Sequence, residues 1–395
     1  MSSRYSLLER SVMDLNSEYG LSLDDFSFRI NDYLFDGSYD LPSGLRRFSH
    51  EGCLSDVLRN CMILAKPQVV EHKKKYYRSN SPIYVESKSI EHAKDLAKIA
   101  AENGAECIGV LAGDGMFTEI MSSVYSSENN ACAVAPGKGN SGNGARTTFN
   151  KKSSYKSDLE VIYSAVLDKH GLSPTEKKSY DGKIVGSNLM KIVFDDDPDD
   201  FVYSQFFGIG LTGSVIRNRE NINEAVDGSR YIDKQIKKIL NMRGSQLIKY
   251  GLATSLSVLD YDCSFSAEIE SGDKINIHKS VIPRCSEITI GVRGSPGYDM
   301  TLIPDVSFSG DSFKGLLAQI PRYFVPLKML SILKGKDKIK GIERFSGEHL
   351  KIILPEKTLP AHHDGEIVDL SGKKSIDLYL IKNAVPVAAS SLNVY

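Results

Sequence analysis

Between residues 57 and 155, apolar positions alternate between short continuous runs and runs with a helical period of about 3.6 residues. The continuous runs are typical of buried strands and occupy residues 57–64, 83–85, 107–111 and 131–135. Helical spacing appears at residues 90–101, with Ser89 as a candidate cap and Gly104 as the stop, and again at residues 117–124. Alternating strands and helices predict parallel βαβ units.

From residue 180 onwards, the pattern changes to short apolar runs separated by turn residues, with a helical block at about residues 231–261. The predicted strands cover residues 182–184, 189–194, 202–207, 264–270, 274–278, 287–292, 300–303 and 351–354. Many short strands predict a β-sandwich. We therefore expect an appendage at 1–56, a Rossmann-like α/β domain at 57–155 and a β-sandwich domain at 180–385, whose C-terminal end can return to the first domain.

The charge balance, the apolar stretches and the cysteine spacing each argue against particular classes of protein. The 395 residues include 49 Lys and Arg against 50 Asp and Glu, and this balance argues against a dedicated nucleic-acid binder, which usually carries a basic excess. We find no apolar stretch near the ~18 residues that span a bilayer, and no secretory signal. The six cysteines lack zinc-ligand spacing, so we interpret them as reduced thiols, with Cys107 and Cys132 in strand cores. A cytoplasmic protein is expected.

The sharpest local signal is a glycine-rich turn between a strand and a helix. Gly113, Asp114 and Gly115 follow the strand at 107–111 and precede the helical pattern. Glycines let a ligand approach the backbone closely, and a helix N-terminus favours phosphate. Asp114 would repel a bare phosphate but would suit a water or a Mg²⁺ ion that the phosphates also bind. The alternative is a tight turn in which Asp114 caps the helix.

A second glycine-rich segment, Pro136 to Arg146, follows the next strand. Ligands of open α/β sheets bind beyond the carboxyl ends of the strands, so two such loops on nearby strands would close over one nucleotide. The alternative for this segment alone is a flexible loop. Its candidate binding residues are Gly137, Lys138, Gly139, Asn140, Gly142 and Asn143.

Together, these motifs resemble the superfamily of diacylglycerol kinases, sphingosine kinases and ceramide kinases. The form Gly-Asp-Gly-Met-Phe-x-Glu at 113–119 is more similar to ceramide kinases than to bacterial diacylglycerol kinases. Ala112 replaces a glycine of the family motif, Lys66-Pro67 stands where the family has Asn-Pro, and the second loop is one residue longer and lacks an aspartate. The resemblance implies an ATP-binding domain with nucleotide contacts from Lys66, Gly113, Gly115, Glu119 and the second loop.

Downstream segments extend the resemblance. Residues 206–211 resemble the family segment that opens the second domain, and Arg243 lies in a basic block that approaches the nucleotide phosphates in relatives. The Asp364-Gly365-Glu366 segment resembles the family's late Asp-Gly-Glu, which implies that Glu366 accepts a proton from a lipid hydroxyl and that Asp364 helps to order the metal. Asp311 is the second choice for the proton acceptor. On its own, Asp-Gly-Glu is typical of a hairpin turn.

The resemblance implies an ATP-dependent lipid kinase that uses Mg²⁺, held by Asp114 through water. The acceptor would be the primary hydroxyl of a sphingolipid or of diacylglycerol, presented by a membrane surface, so peripheral membrane association is expected. One alternative is a relative of NAD kinase, which shares Gly-Asp-Gly and the two-domain plan. Another is a degenerate module that binds nucleotide or lipid without catalysis, which Ala112 and Lys66 favour.

Overall fold

A computed structural model describes most of the chain, and the chain divides into two compact units. Unit 1 comprises Met1–Asn188, Gly297–Asp299 and Lys382–Tyr395, and unit 2 comprises Leu189–Pro296 and Met300–Ile381. The described residues are 7–19, 58, 60–81, 83–128, 131–139, 144–150, 155–172, 181–228, 245–259, 265–272, 277–294, 302–320, 324, 328 and 339–390.

Helices and strands alternate in the first half of the described chain, and strands dominate the second half. The helices are α1 Leu7–Glu18, α2 Glu71–Asn80, α3 Ile90–Glu102, α4 Asp114–Tyr125, α5 Gly144–Phe149, α6 Tyr155–Lys169, α7 Leu211–Gly228 and α8 Ser245–Leu259. The strands are β1 Cys61–Ala65, β2 Ile83–Glu86, β3 Cys107–Leu111, β4 Ala133–Pro136, β5 Gly182–Phe194, β6 Phe201–Ser204, β7 Phe206–Gly210, β8 Phe265–Gly272, β9 Ile277–Cys285, β10 Glu287–Gly291, β11 Phe313–Ala318, β12 Ile342–Gly347, β13 His349–Ile353, β14 Ala361–His363, β15 Glu366–Val368 and β16 Ser375–Ser390.

Unit 1 is built on a parallel sheet with the strand order β2-β1-β3-β4. Late in the chain, Val387 of β16 pairs in parallel with Val134 of β4. Strands β1, β3 and β4 are buried along their whole length, as expected when helices cover both faces of a parallel sheet. The predicted βαβ pattern is therefore confirmed. Cys107 and Cys132 are fully buried, and burial raises the pKa of Cys132 to about 12.

Helix α3 shows how local sequence fixes its own boundaries. The side chain of Ser89 accepts a hydrogen bond from the His92 amide and caps the helix, as predicted. Gly104 follows the helix with a positive φ of 87°, a conformation that glycine adopts without strain. Helix α1 packs against α3, where the His92 ring contacts the Asn16 side chain at 3.0 Å. This helix lies within the segment at 1–56 that we expected to be an appendage.

The strands of unit 2 pair antiparallel and belong to two sheets. One has the order β12-β11-β10-β7-β14-β15. In the other, β13 lies between β8 and β16, and β5 pairs with β6. A single buried apolar cluster takes side chains from both sheets, including Ile192 and Leu350 from one and Ile209 and Ile288 from the other. Two sheets packed face to face require such a common core, so this cluster supports the proposed β-sandwich.

Several sequence predictions after residue 180 need correction, among them the single strand predicted at 202–207, which forms the two strands β6 and β7. The strands at 182–184 and 189–194 form one continuous strand, β5. Helix α7 was missed because its sequence is mostly polar, and Val215 and Ile216 are among its few buried apolar residues. Leu302 and Ile303, predicted as part of a strand, instead donate backbone hydrogen bonds to Gly294 O and pack into a loop. The predicted helical block at 231–261 coincides with α8 over 245–259, and residues 229–244 lie outside the described chain.

No helix within the described residues combines the length and the apolar character needed to cross a bilayer.

A buried carboxylate stabilises the start of α7. Glu287, 6% exposed, accepts hydrogen bonds from the Thr212 amide at 2.8 Å and from the hydroxyls of Thr212 and Thr289. Since the Thr212 hydroxyl donates to Glu287, the Nε2–H of His362, 3.1 Å away, donates to Thr212. Burial raises the pKa of Glu287 to about 7, while burial lowers the pKa of His362 to about 3.

Replacement of Glu287 by Gln should change the pH dependence of stability. The ordinary Glu pKa of 4.5 is raised to about 7 in the folded chain. Between these values the native state binds more protons than the unfolded state, so the contribution of Glu287 to the free energy of unfolding falls as pH rises. Relative to Glu287→Gln, the wild type should lose about 3 kcal/mol between pH 4.5 and pH 7 in urea titrations. A constant difference across this range would contradict the assignment.

Candidate functional site

The first glycine-rich turn lies where β3 ends and α4 begins. Gly113 precedes α4, and the position where a Cβ would sit has no atom within 4 Å, so this side of the turn is open. The carboxylate of Asp114, 7% exposed, accepts hydrogen bonds from the Gly144 amide at 2.9 Å and the Ala145 amide at 2.8 Å. Asp114 thus binds the amides at the start of α5, where the helix dipole favours a negative charge.

The second turn leaves β4 and packs directly against the first. The Gly137 amide donates to Val110 O at 2.9 Å. A Cβ on Gly137 would lie 2.5 Å from Leu111 Cδ2, and one on Gly139 would lie 2.7 Å from the backbone N and O of Ala112. Only residues without a side chain allow this approach. The glycines at 137 and 139 therefore serve the contact between the turns, whereas Gly113 faces open space.

Two helices hold the second turn in place. The buried ammonium of Lys73 on α2 donates to Lys138 O at 3.2 Å and to Gly139 O at 2.6 Å. The fully buried carboxylate of Asp158 on α6 accepts from the Lys138 amide at 2.9 Å and forms an ion pair with Arg146 Nε at 3.1 Å. Sequence reasoning missed the contribution of Lys73 and Asp158, because each lies far along the chain from the turn that it holds.

Both turns line one depression in the surface of unit 1. Arg146 also lines it, with its side chain 12% exposed and its Nε held by Asp158. This fixed guanidinium was not among the predicted site residues, although it lies within the second motif. Gly115 is buried in the first turn of α4. The lining residues are Val110, Ala112, Gly113, Asp114, Phe117, Pro136, Gly137, Ala145 and Arg146.

Other predicted nucleotide contacts have different surroundings. Lys66 follows β1, and its amide donates to Leu111 O at 3.2 Å, which places its backbone beside the end of β3. Glu119 forms an ion pair with Lys94 of α3 at 3.1 Å and does not line the depression, so its observed role is a contact between helices. The remaining predicted contacts lie outside the described residues and are Asn140, Gly142, Asn143 and Arg243.

The three acidic candidates of unit 2 also differ in their surroundings. Glu366 is exposed at the start of β15, and Asp311 is exposed in the turn before β11. Burial raises the pKa of Glu220 on α7, the positive charge of Arg219 opposes this shift, and the negative charge of Glu366 adds to it. Glu366 therefore lies near α7. Asp364 has a side chain with no exposure and pairs with Arg293 at 2.7 Å.

Protein donors in and around the turn bind the carboxylate of Asp364, which the sequence predicts to help order the metal. Its Oδ1 accepts from Arg293, and its Oδ2 accepts from the Ser204 hydroxyl at 3.0 Å and the Gln205 amide at 2.9 Å. With Gly365, it forms the two-residue turn of the β14–β15 hairpin, with φ values of 48° and 93°. Protein donors therefore occupy both oxygens of this carboxylate.

Comparison with known proteins connects this geometry to a family. Residues 67–170, which contain both glycine-rich turns, match the diacylglycerol kinase catalytic domain. No curated protein sequence matches the chain.

Solved structures share the fold. A "putative diacylglycerol kinase" from Bacillus anthracis str. Sterne is similar with a TM-score of 0.57 and 14% identity, over 85% of this chain and 96% of that chain. A crystal structure of a diacylglycerol kinase from the same organism gives a TM-score of 0.54 and 11% identity, over 85% of this chain and 98% of that chain. At these identities, the likeness shows a common fold.

Loss of the buried ion pair at Asp158 should be costly. Asp158→Asn leaves the Arg146 guanidinium without its charged partner and should lower the free energy of unfolding by about 3 kcal/mol. The matched control is Lys94→Met, which breaks the more exposed pair with Glu119 and should cost less than about 1 kcal/mol. Urea unfolding followed by circular dichroism measures both values. Equal losses in the two variants would contradict the role given to Asp158.

Proposed function

We propose that the chain is an ATP-dependent lipid kinase, which transfers the γ-phosphoryl group of ATP to the hydroxyl of a membrane lipid. The observation that carries this proposal is the depression in unit 1, which two packed glycine-rich turns and Arg146 line together. These turns lie within the segment that matches the diacylglycerol kinase catalytic domain. A lipid acceptor has to be presented by a membrane surface, so the proposal includes peripheral membrane association.

The first turn has the features that a phosphate group requires. Its open side at Gly113 admits close approach, and α4 begins at Asp114 with backbone amides that point out of its N-terminus. Arg146 also lines the depression and supplies a positive charge, and Asp158 fixes its orientation. Guanidinium groups bind phosphate oxygens in a planar, paired geometry. These groups would hold and neutralise the phosphates of the nucleotide.

Mg²⁺ fits this donor set as an ion bound through water. No three His, Cys, Asp or Glu side chains cluster as metal ligands within the described residues, so the protein would not enclose the ion directly. Asp114 lines the depression, so its carboxylate would accept a hydrogen bond from a metal-bound water. When bound with ATP, the ion would neutralise charge on the transferring group.

The proton of the lipid hydroxyl needs an acceptor. We assign this role to Glu366, whose exposed position at the start of β15 leaves its carboxylate accessible. Asp311, exposed before β11, is the second choice.

The acceptor lipid is proposed at the level of its chemistry, a primary hydroxyl on a sphingolipid or on diacylglycerol. Met116 and Phe117, which make the first motif similar to that of ceramide kinases, are both buried in unit 1, and Phe117 lines the depression. These side chains therefore act in the core and in the proposed nucleotide site, and they favour neither lipid.

The test is phosphoryl transfer from labelled MgATP to vesicles that contain diacylglycerol, ceramide or sphingosine, with NAD as a soluble acceptor in a parallel reaction. The wild type should produce a phosphorylated lipid. Asp114→Asn should lower the rate by about 100-fold or more, because one charged group that organises the phosphates is lost. The control Lys94→Met, whose side chain pairs with Glu119 and does not line the depression, should retain the rate.

Other outcomes would contradict the proposal in distinct ways. Transfer to NAD alone would assign the chain to NAD kinase activity. Binding of ATP without transfer to any acceptor would support a degenerate binding module. An unchanged rate in Asp114→Asn would remove the metal role of Asp114.

A further inference from the structure

We propose that Arg293 is a positioning residue for Glu366, and that it acts through its buried ion pair with Asp364 in the hairpin turn. This inference rests on the proposed function, because Glu366 has a chemical role only if a lipid hydroxyl is phosphorylated. All residues involved belong to unit 2.

The ion pair is fully buried. Arg293 is 1% exposed, the Asp364 side chain has no exposure, and Arg293 Nη2 lies 2.7 Å from Asp364 Oδ1. The second oxygen of Asp364 accepts from Ser204 and Gln205, at the junction of β6 and β7. The turn is thereby connected to two separate segments of the unit, the one after β10 and the one before β7.

The backbone of the turn is also fixed. The Asp364 amide donates to Phe206 O at 2.7 Å. The φ values of 48° at Asp364 and 93° at Gly365 are those that a two-residue hairpin turn requires, and Asp-Gly is a favoured sequence for it. The Arg293 guanidinium also lies 5.9 Å from the centre of the Phe206 ring. Arg293 therefore lies beside both the Asp364 carboxylate and the ring of Phe206, whose carbonyl oxygen accepts the Asp364 amide.

Glu366 follows this turn directly, on a strand that also packs against α7. Strand β15 comprises Glu366–Val368 and ends the six-stranded sheet, so β14 is its one neighbour among the described strands. Glu366 pairs with His363 directly across the two-residue turn. A rotation of the turn would therefore move Glu366 before any other residue of β15. The ion pair supplies the constraint that a second neighbouring strand would otherwise provide.

The chemistry of the pair explains why Arg293 is the sensitive partner. Loss of Arg293 leaves a buried negative charge on Asp364, which gains by moving towards water, and such a movement rotates the turn. Lysine would keep the positive charge but would lack the planar guanidinium. Arg293→Lys should therefore restore part of what Arg293→Gln loses. Replacement of the whole pair, Arg293→Gln with Asp364→Asn, removes both charges and keeps the acceptor oxygen for Ser204 and Gln205.

The test measures kcat and KM for labelled MgATP with the vesicle lipid that the wild type phosphorylates, together with the fraction of protein that binds an ATP analogue. Arg293→Gln should lower kcat by about 100-fold, the scale of a misplaced reacting group, while KM for ATP stays within about twofold. The bound fraction should remain that of the wild type, since the depression lies in unit 1. Arg293→Lys should recover part of kcat. Asp196→Asn, which removes the exposed partner of Lys351 in the same unit and leaves Lys351 paired with Asp377, should leave kcat unchanged.

The outcomes separate the inference from the proposed function. A wild-type kcat in folded Arg293→Gln, or a loss of kcat that follows the loss of nucleotide-binding protein, would overturn the positioning role. If Arg293→Gln does not fold, the double variant Arg293→Gln with Asp364→Asn provides the test. Its kcat should be about tenfold lower than that of the wild type, and a wild-type kcat in this variant would overturn the proposal. A wild-type kcat in Glu366→Gln would remove the proton-acceptor role and this inference with it. If the wild type transfers phosphate to no lipid, the proposed function fails first.

Discussion

The hydrogen bonds between the Asp114 carboxylate and the amides of Gly144 and Ala145 hold the candidate site together. Asp114 starts the helix after the first turn, and the two amides start the helix after the second. One carboxylate thus ties the ends of two parallel strands to each other. The contact between Gly139 and Ala112 brings the turns together at a second point, where a side chain would not fit. These contacts explain why both turns line one depression.

The same principle applies to the polar groups buried in each unit. The carboxylate of Asp158 in unit 1 and that of Asp364 in unit 2 each combine an arginine with a backbone amide. A buried charge is stable only when it is paired and hydrogen-bonded, so each such group fixes several segments at once. In unit 1 the fixed segment is the second glycine-rich turn, and in unit 2 it is the hairpin that carries Glu366.

Much of unit 1 follows from local patterns in the sequence. Continuous apolar runs marked its parallel strands, Ser89 marked the start of α3, and glycine spacing marked both turns. The supporting contacts were not predictable in the same way. Lys73 and Asp158 reach the second turn from helices α2 and α6, and no pattern within one segment shows that a lysine ammonium will meet the carbonyl of Gly139.

Unit 2 was harder to predict for physical reasons. Helix α7 is largely polar and has few buried apolar side chains, so the apolar periodicity of its sequence is weak. It packs against α8. The sequence of the Asp-Gly-Glu segment allows two interpretations, a hairpin turn and a pair of functional carboxylates. In the structure, Asp364 is buried in the turn and Glu366 is exposed beside it. Long-range contacts to Arg293 and Ser204 hold Asp364 in its buried position, and the local sequence does not show them.

The most direct test of the account is hydrogen–deuterium exchange of the full chain with and without MgATP. Peptides containing residues 113–115 and peptides containing residues 137–139 should gain protection together, with the same dependence on ATP concentration. Protection of one turn without the other, or of neither turn at saturating MgATP, would contradict the claim that both turns form a single nucleotide site.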